Sequence, residues 1–409
     1  MWFGASFAMS MALQMLEVII GWSVYSHQHS ALDLGWIGLA EFVPLFVLAL
    51  PAGHIADRFP RQRVLATATF LGSGVALGLA AITAAGVHAP APYFALALGA
   101  GVTMAIGSPA SRAMPPVLVG RELIPNAMVL RSFAGQGAGI VGPAVGGLVY
   151  ALSPTAVYLL AAVALLAGTV LALLIGPGVG AQAGVEARRQ AASLRSVLEG
   201  LHFLRRTPIV LGAILLDLFA VLFGGAVALL PIFAAHYLRV GSVGLGALRA
   251  APAVGAIFGA LFMLRRPVSR HAGHVLLGVV AAFGACIVVF GLSRNFELSL
   301  LALAASGFVD MFSMNIRYTT SALATPDALR GRVNAVELVF ISASNQLGAF
   351  ESGLAATLFG TITAVVGGGL LTVAIAASWA GLFPQLAGVD RMTDLQHEPS
   401  ALAEAQPAP

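Results

Sequence analysis

Lysine is absent from this sequence, and charge of either sign is scarce: Asp, Glu, Lys and Arg together make up 9% of its 409 residues. Soluble domains carry about 25% charged residues, so a water-soluble globule of this composition could not cover its own surface. Cysteine is nearly missing as well. The single Cys286 cannot form an internal disulfide and reads as a small packing residue inside an apolar run. There is no Gly-Lys-Ser/Thr phosphate loop, which argues against ATP as an energy source. His27 with His29, and His271 with His274, have no cysteine or carboxylate cluster beside them and read as solvated loop histidines. We therefore expect no metal, no cofactor and no enzymatic activity.

What the chain has is apolar length. Hydrophobic residues make up 59% of it, and the mean hydropathy is +0.92. A bilayer core of roughly 30 Å needs about 20 apolar residues per helix. Runs of that kind lie near 2–25, 34–56, 64–86, 93–114, 127–151, 155–175, 208–232, 243–264, 275–293, 298–320, 333–359 and 362–383. A transmembrane β-barrel would instead show alternating segments of about ten residues. The expectation is an all-α membrane protein with twelve transmembrane helices.

All 21 basic residues are arginine. With the N-terminus placed inside, 18 of the 21 fall on inner connections or adjoining helix ends, Arg239 and Arg294 on outer connections, and Arg249 within a span. That bias follows the positive-inside rule and predicts both termini in the cytoplasm. The net charge of +4 is then a topology signal, and no nucleic-acid partner is expected. Met1, Trp2 and Phe3 lead straight into the first run, so we expect no cleaved signal peptide, and a natural start somewhat upstream. The Arg-only, Ala-rich composition suggests a GC-rich bacterial genome, hence a multi-pass protein of the bacterial inner membrane, expected to be a monomer.

The longest polar interruption, 176–207, divides the spans into a six-helix bundle over 1–175 and another over 208–385, with a polar tail at 386–409. Within the interruption, Leu194, Val197, Leu198, Leu201 and Leu204 recur at helical spacing. This reads either as an amphipathic helix on the inner membrane surface or as a linker with a solvated charged face. Shifting the chain by 208 residues aligns Gly38 with Gly246, Pro44 with Pro252, Arg58 with Arg266, and NAMVL (126–130) with NAVEL (334–338). Glu41 then falls on Arg249, which suggests a pair across the halves. Parallel repeats with a substrate site at their interface are a known transporter plan.

Three stretches resemble motifs of the major facilitator superfamily. The first is PAGHIADRFPRQRVL (51–65), with Gly53, Asp57, Arg58, Arg61 and Arg63 in the pattern of the loop between helices two and three, and Pro60 where a Gly normally stands. GIVGPAVGGL (139–148) is similar to the fifth-helix motif of the superfamily's exporters through Gly142, Pro143, Gly146 and Gly147, with Gly139 one residue closer than the strict spacing. ATPDALRGRVNA (324–335) is similar to the loop before helix eleven in the drug- and siderophore-exporter branch that includes enterobactin exporters. The resemblance spans roughly 10–390 and implies the major facilitator fold: twelve helices in two six-helix pseudo-repeats. It also implies that Asp57 and its arginines latch the halves on the cytoplasmic side. Independently, a carboxylate at that point can meet a helix N-terminus and the guanidinium of Arg112.

Charged groups inside a span cost about 2.5–3.5 kcal/mol to insert and usually serve a pathway. Glu17 shares a face with Gln14; Glu41, Asp217 and Arg249 lie in spans two, seven and eight; Asp310 and Arg317 stand about two turns apart with Ser313 between them. Span eleven holds Glu337 near its inner end, where we expect an interfacial role, as for Arg131. Asn345, Gln346 and Glu351 lie further out. Asp217, Asp310 and Glu17 lead as proton carriers because no basic residue lies within one turn of them in sequence. The expectation is a proton-coupled exporter of a small organic molecule, of drug or siderophore type. An importer of the same fold is the alternative, and a non-transporting scaffold or sensor the alternative of another class.

Overall fold

The computed structural model describes residues 1–48, 51–52, 55, 58–119, 121–176, 194–268, 270–392 and 395. Twelve long helices occupy the twelve expected runs. In the first half they are α1 (Trp2–Gln28), α2 (Ala31–Val47), α3 (Arg61–Ala84), α4 (Pro90–Ala113), α5 (Ile124–Leu152) and α6 (Pro154–Leu173). In the second half they are α7 (Pro208–Gly224), α8 (Gly241–Arg265), α9 (Ala272–Leu292), α10 (Phe296–Ala324), α11 (Asp327–Phe359) and α12 (Thr361–Leu382). Among the described residues, nine helices are long and apolar enough to cross a membrane. Of the other three, α2 is described over only 17 residues, while α5 and α11 carry more polar side chains.

Local chemistry sets the helix ends. Ser30 and Ser153 accept the backbone N–H groups of Asp33 and Ala156, and Asn295 accepts that of Leu298, each satisfying an orphan donor in a first turn. Proline opens α4, α6 and α7, where its missing N–H costs nothing. His29 closes α1 with φ of 55°, and Gly360, at φ of 87°, turns the chain from α11 into α12.

Span seven departs from the expected single run. Its α-helix stops at the Gly224–Gly225 pair, and the chain continues through a 3₁₀ turn (Ala226–Leu229), a short α-turn (Leu230–Ile232) and a π turn (Phe233–Tyr237). Two successive glycines weaken the helix, and Pro231 removes another backbone donor.

The chain forms two compact units: Met1–Ala192 with Val227–Ala250, and Ser193–Ala226 with Ala251–Pro409. In the first, α1 packs on α5 and α6, α3 on α4 and α6, and α2 on α4. In the second, α7 packs on α11 and α12, and α9 on α10 and α12; the part of α8 after Ala251 meets α10, where Gly307 faces the Pro252 carbonyl. Each pairing in the first unit recurs six helices later, the duplicated architecture that the 208-residue offset suggests. Buried Ile19, Leu65, Leu79, Tyr158 and Leu165 form the first core. Leu216, Leu276, Val280, Ile316 and Trp379 form the second. Large apolar side chains such as Phe70, Val163, Leu173, Leu358 and Leu370 are exposed on the outside, as helices bathed in lipid require.

The helix of the interruption is real. Leu194–Arg206 folds back onto α11, with Leu204 fully buried against Val210, Val333 and Val336, and with Glu199 paired to Arg332 at 2.7 Å.

Candidate transport site

In the second unit, one buried guanidinium gathers the carboxylates. Arg317, on α10, forms an ion pair with Asp217 of α7, their side chains only 7% and 10% exposed. Its Nε donates to Ser313 Oγ, one turn back, at 3.2 Å. Asp310 on α10 and Glu337 on α11 both interact electrostatically with Arg317 and with Asp217. Counted at 1.5 Å per residue from one end of their helices, Asp217, Arg317 and Glu337 lie about 10–15 Å deep and Asp310 about 21 Å deep. Glu337, expected near the interface, is therefore a buried member of this group, at 5% exposure. Its NAVEL match to the first half carried no hint of that role, because the partner residues come from two other helices.

Three carboxylates thus lie within the electrostatic reach of one cation. Asp217 takes the direct bond, while among the described residues Asp310 makes no hydrogen bond or ion pair. Taking an isolated charge out of water costs many kcal/mol, so a buried carboxylate is stable there only with a partner such as Arg317.

The first unit holds a second pair, and it is more open. Arg249 of α8 bonds Glu17 of α1, with side-chain exposures of 19% and 40%. The sequence offset suggested Glu41 as the partner of Arg249; the bond that Arg249 makes is with Glu17. Glu41 is half-buried on α2, and its backbone carbonyl abuts Gly101 of α4, where no larger residue would fit. Asp217 and Glu17, with no basic residue within one turn of them in sequence, both have arginine partners from distant helices. Gln14 lies half-buried on the Glu17 face of α1, beside Gly142. On α11, Asn345 donates to the Ile341 carbonyl of its own helix at 2.8 Å and is exposed, while Glu351 is half-buried.

The fifth-helix motif is a packing surface. Gly142 rides on the Met11 carbonyl and Gln14 of α1, and Gly146 on Met15 and Ile19. Gly147 faces the Ser242 carbonyl, and Ser242 Oγ donates back to the Gly147 carbonyl at 3.0 Å. The Pro143 carbonyl in turn abuts Gly246. At Gly142 and Gly147 the facing backbone leaves no room for a Cβ, whereas at Gly146 the contacts are of ordinary length. Of the charged turn, Gly53 and Asp57 lie outside the described residues. Arg58, Arg63 and Arg112 are exposed, and Arg61 donates to the Ala113 carbonyl at the end of α4 at 2.5 Å.

The sequence matches the transmembrane secretion effector family over residues 1–406. The chain belongs to that family. Among characterised relatives of this chain is the enterobactin exporter EntS of Shigella boydii serotype 18, 28% identical over 376 residues that cover 91% of this chain and 89% of that protein. Its structure resembles the inward open conformation of the xylose transporter XylE from Escherichia coli, with a TM-score of 0.72, 11% identity, and coverage of 97% of this chain and 98% of that one. A bacterial homologue of the iron transporter ferroportin in an inward-facing state is also similar, with a TM-score of 0.67, 14% identity and coverage of 94% and 97%. The chain is thus a multi-pass membrane transporter of the major facilitator superfamily, acting on a small molecule, and not an enzyme.

Proposed function

We propose that this chain exports a small organic molecule from the bacterial cytoplasm across the inner membrane, driven by protons that enter in exchange, by alternating access of its two halves. It works as a monomer with both termini in the cytoplasm. The observation that supports the reading is the enclosed Asp217–Arg317 ion pair, with Asp310 and Glu337 interacting electrostatically with both of its members. Asp217 serves as the standing counterion of Arg317. Asp310 is the proton carrier, because it interacts electrostatically with the same guanidinium without bonding it. The Glu17–Arg249 pair, being half-open, has a gating or substrate-facing role. The kinship to enterobactin exporters favours a siderophore-type cargo, and the motif around Gly142 and Pro143 favours outward transport.

The test is export from right-side-out proteoliposomes. A catecholate siderophore is trapped inside, a proton gradient is imposed inward, and loss of the compound is followed. Efflux that accelerates with the gradient and collapses with a protonophore supports the reading; efflux indifferent to the gradient overturns the proton coupling.

A further inference from the structure

Four of the chain's nine histidines collect at one end of the first unit. His27 stands in the last turn of α1 and His29 caps that helix; His88 lies in the α3–α4 connection and His236 in the π turn that precedes α8. None of this is visible from spacing, because His27 and His88 are separated by the whole of α2 and α3.

His27 and His88 are in direct ring contact, with centroids 4.3 Å apart and planes tilted by 55°. The contact is braced: Gln28 Nε2 donates to the His88 carbonyl oxygen at 2.7 Å, tying the connection that carries His88 to the helix end that carries His27. Both imidazoles are exposed, so an ion can reach them from solvent. Two imidazoles bound side by side to one ion, with metal–nitrogen bonds of about 2.0–2.1 Å, place their ring centroids about 4.5–5 Å apart. The observed pair needs only a small side-chain adjustment to reach that separation.

The other histidine pairs suit a cation less well. His29 and His236 stand 5.9 Å apart at right angles, and His236 Nδ1 is engaged by the Tyr25 hydroxyl at 3.0 Å. His271 lies beside Asp390, but the Arg270 guanidinium shares that carboxylate and would repel a cation.

We propose that His27 and His88 form a two-imidazole site for a late first-row divalent cation, with Zn²⁺ as its reference ion. Neutral imidazole suits zinc, copper and nickel, and it binds only when deprotonated, so the site is occupied at neutral pH and emptied under mild acid. Among the described residues no group of three His, Cys, Asp or Glu side chains could hold an ion, so solvent completes the coordination. A bound ion clasps the end of α1 to the α3–α4 connection, reinforcing the Gln28 hydrogen bond.

The experiment is a Zn²⁺ titration of purified protein carrying no polyhistidine tag, against a competing chromophoric chelator. Wild type should show one tightest site per chain at pH 7.5, at least tenfold weaker in His27→Ala and in His88→Ala, unchanged in His29→Ala and in a His271→Ala/His274→Ala variant, and lost at pH 5.5. The melting temperature of wild type, but not of His88→Ala, should rise with Zn²⁺. Absence of a site in wild type, wild-type affinity retained in His27→Ala or in His88→Ala, or a site removed by the His271/His274 substitutions would each overturn the proposal.

Discussion

Removing the Arg317 side chain should be among the most damaging single changes to this protein. Arg317 and Asp217 are both almost fully enclosed. At an effective dielectric of about 20, charges about 4 Å apart attract by about 4 kcal/mol. Breaking a buried pair by deleting one partner costs about 3–5 kcal/mol, because the surviving charge is left uncompensated. Arg317→Ala is therefore expected to lose about that much stability, and to empty the Ser313 hydrogen bond as well. The Asp217→Asn/Arg317→Met double variant removes both charges and should recover most of the loss, giving a coupling energy of several kcal/mol in a double-mutant cycle. Arg249→Ala provides the internal comparison: Glu17 is 40% exposed, so solvent compensates it and the loss should be about 1 kcal/mol or less. The assay is reversible unfolding of detergent-solubilised protein, followed by tryptophan fluorescence. If Arg317→Ala costs no more than Arg249→Ala, or the double variant is as unstable as the sum of its singles, the enclosure of this pair has been misread.

Three further outcomes follow from packing and charge. Gly147→Ala sets a Cβ against the Ser242 carbonyl and should cost at least about 1–3 kcal/mol, while Gly135→Ala, on the same helix with nothing within 4 Å, should be neutral or slightly stabilising, as thermal melts would show. Leu204→Ala should release the Leu194–Arg206 helix from α11, seen as faster amide exchange over that helix, whereas Glu199→Gln, removing a half-exposed ion pair, should leave it docked. At the start of α9, the His271 backbone N–H donates to Asp390 at 2.8 Å and holds its carboxyl below the usual range, aided by the Arg270 guanidinium. A carboxyl depressed on folding stabilises above its unfolded value, near about 3.9, and that contribution is lost as pH falls through the lower folded value. The stability gap between wild type and Asp390→Asn should therefore be constant at neutral pH and close only in strong acid, by melting temperature against pH.

The helices were legible in advance because a bilayer imposes one length and one composition on each span, and the arginines mark the loops between them. The break in span seven had its signal in Gly224, Gly225 and Pro231, but apolar residues run straight through it, so hydropathy alone continued the helix. The charged site was legible only as a set of residue types. Asp217 and Arg317 are a hundred residues apart, and Glu17 and Arg249 are further still; helical spacing relates neighbours on one helix and says nothing about which helix lies opposite. The repeat offset aligned Arg249 with Glu41 as equivalent positions, and equivalent positions in two repeats need not touch. Glu337 resembles an interfacial residue by its place near a helix end, and its burial comes from tertiary packing that spacing along α11 does not reveal.

The central claim is that protons move through the carboxylates around Arg317, with Asp310 as carrier. It is tested most directly by proton flux in liposomes that enclose a pH-sensitive dye and hold an imposed proton gradient. Adding the transported compound should discharge the gradient with wild-type protein and fail to do so with Asp310→Asn, while the variant still exchanges labelled for unlabelled compound at equilibrium. Substrate-dependent discharge by Asp310→Asn at the wild-type rate would contradict the account.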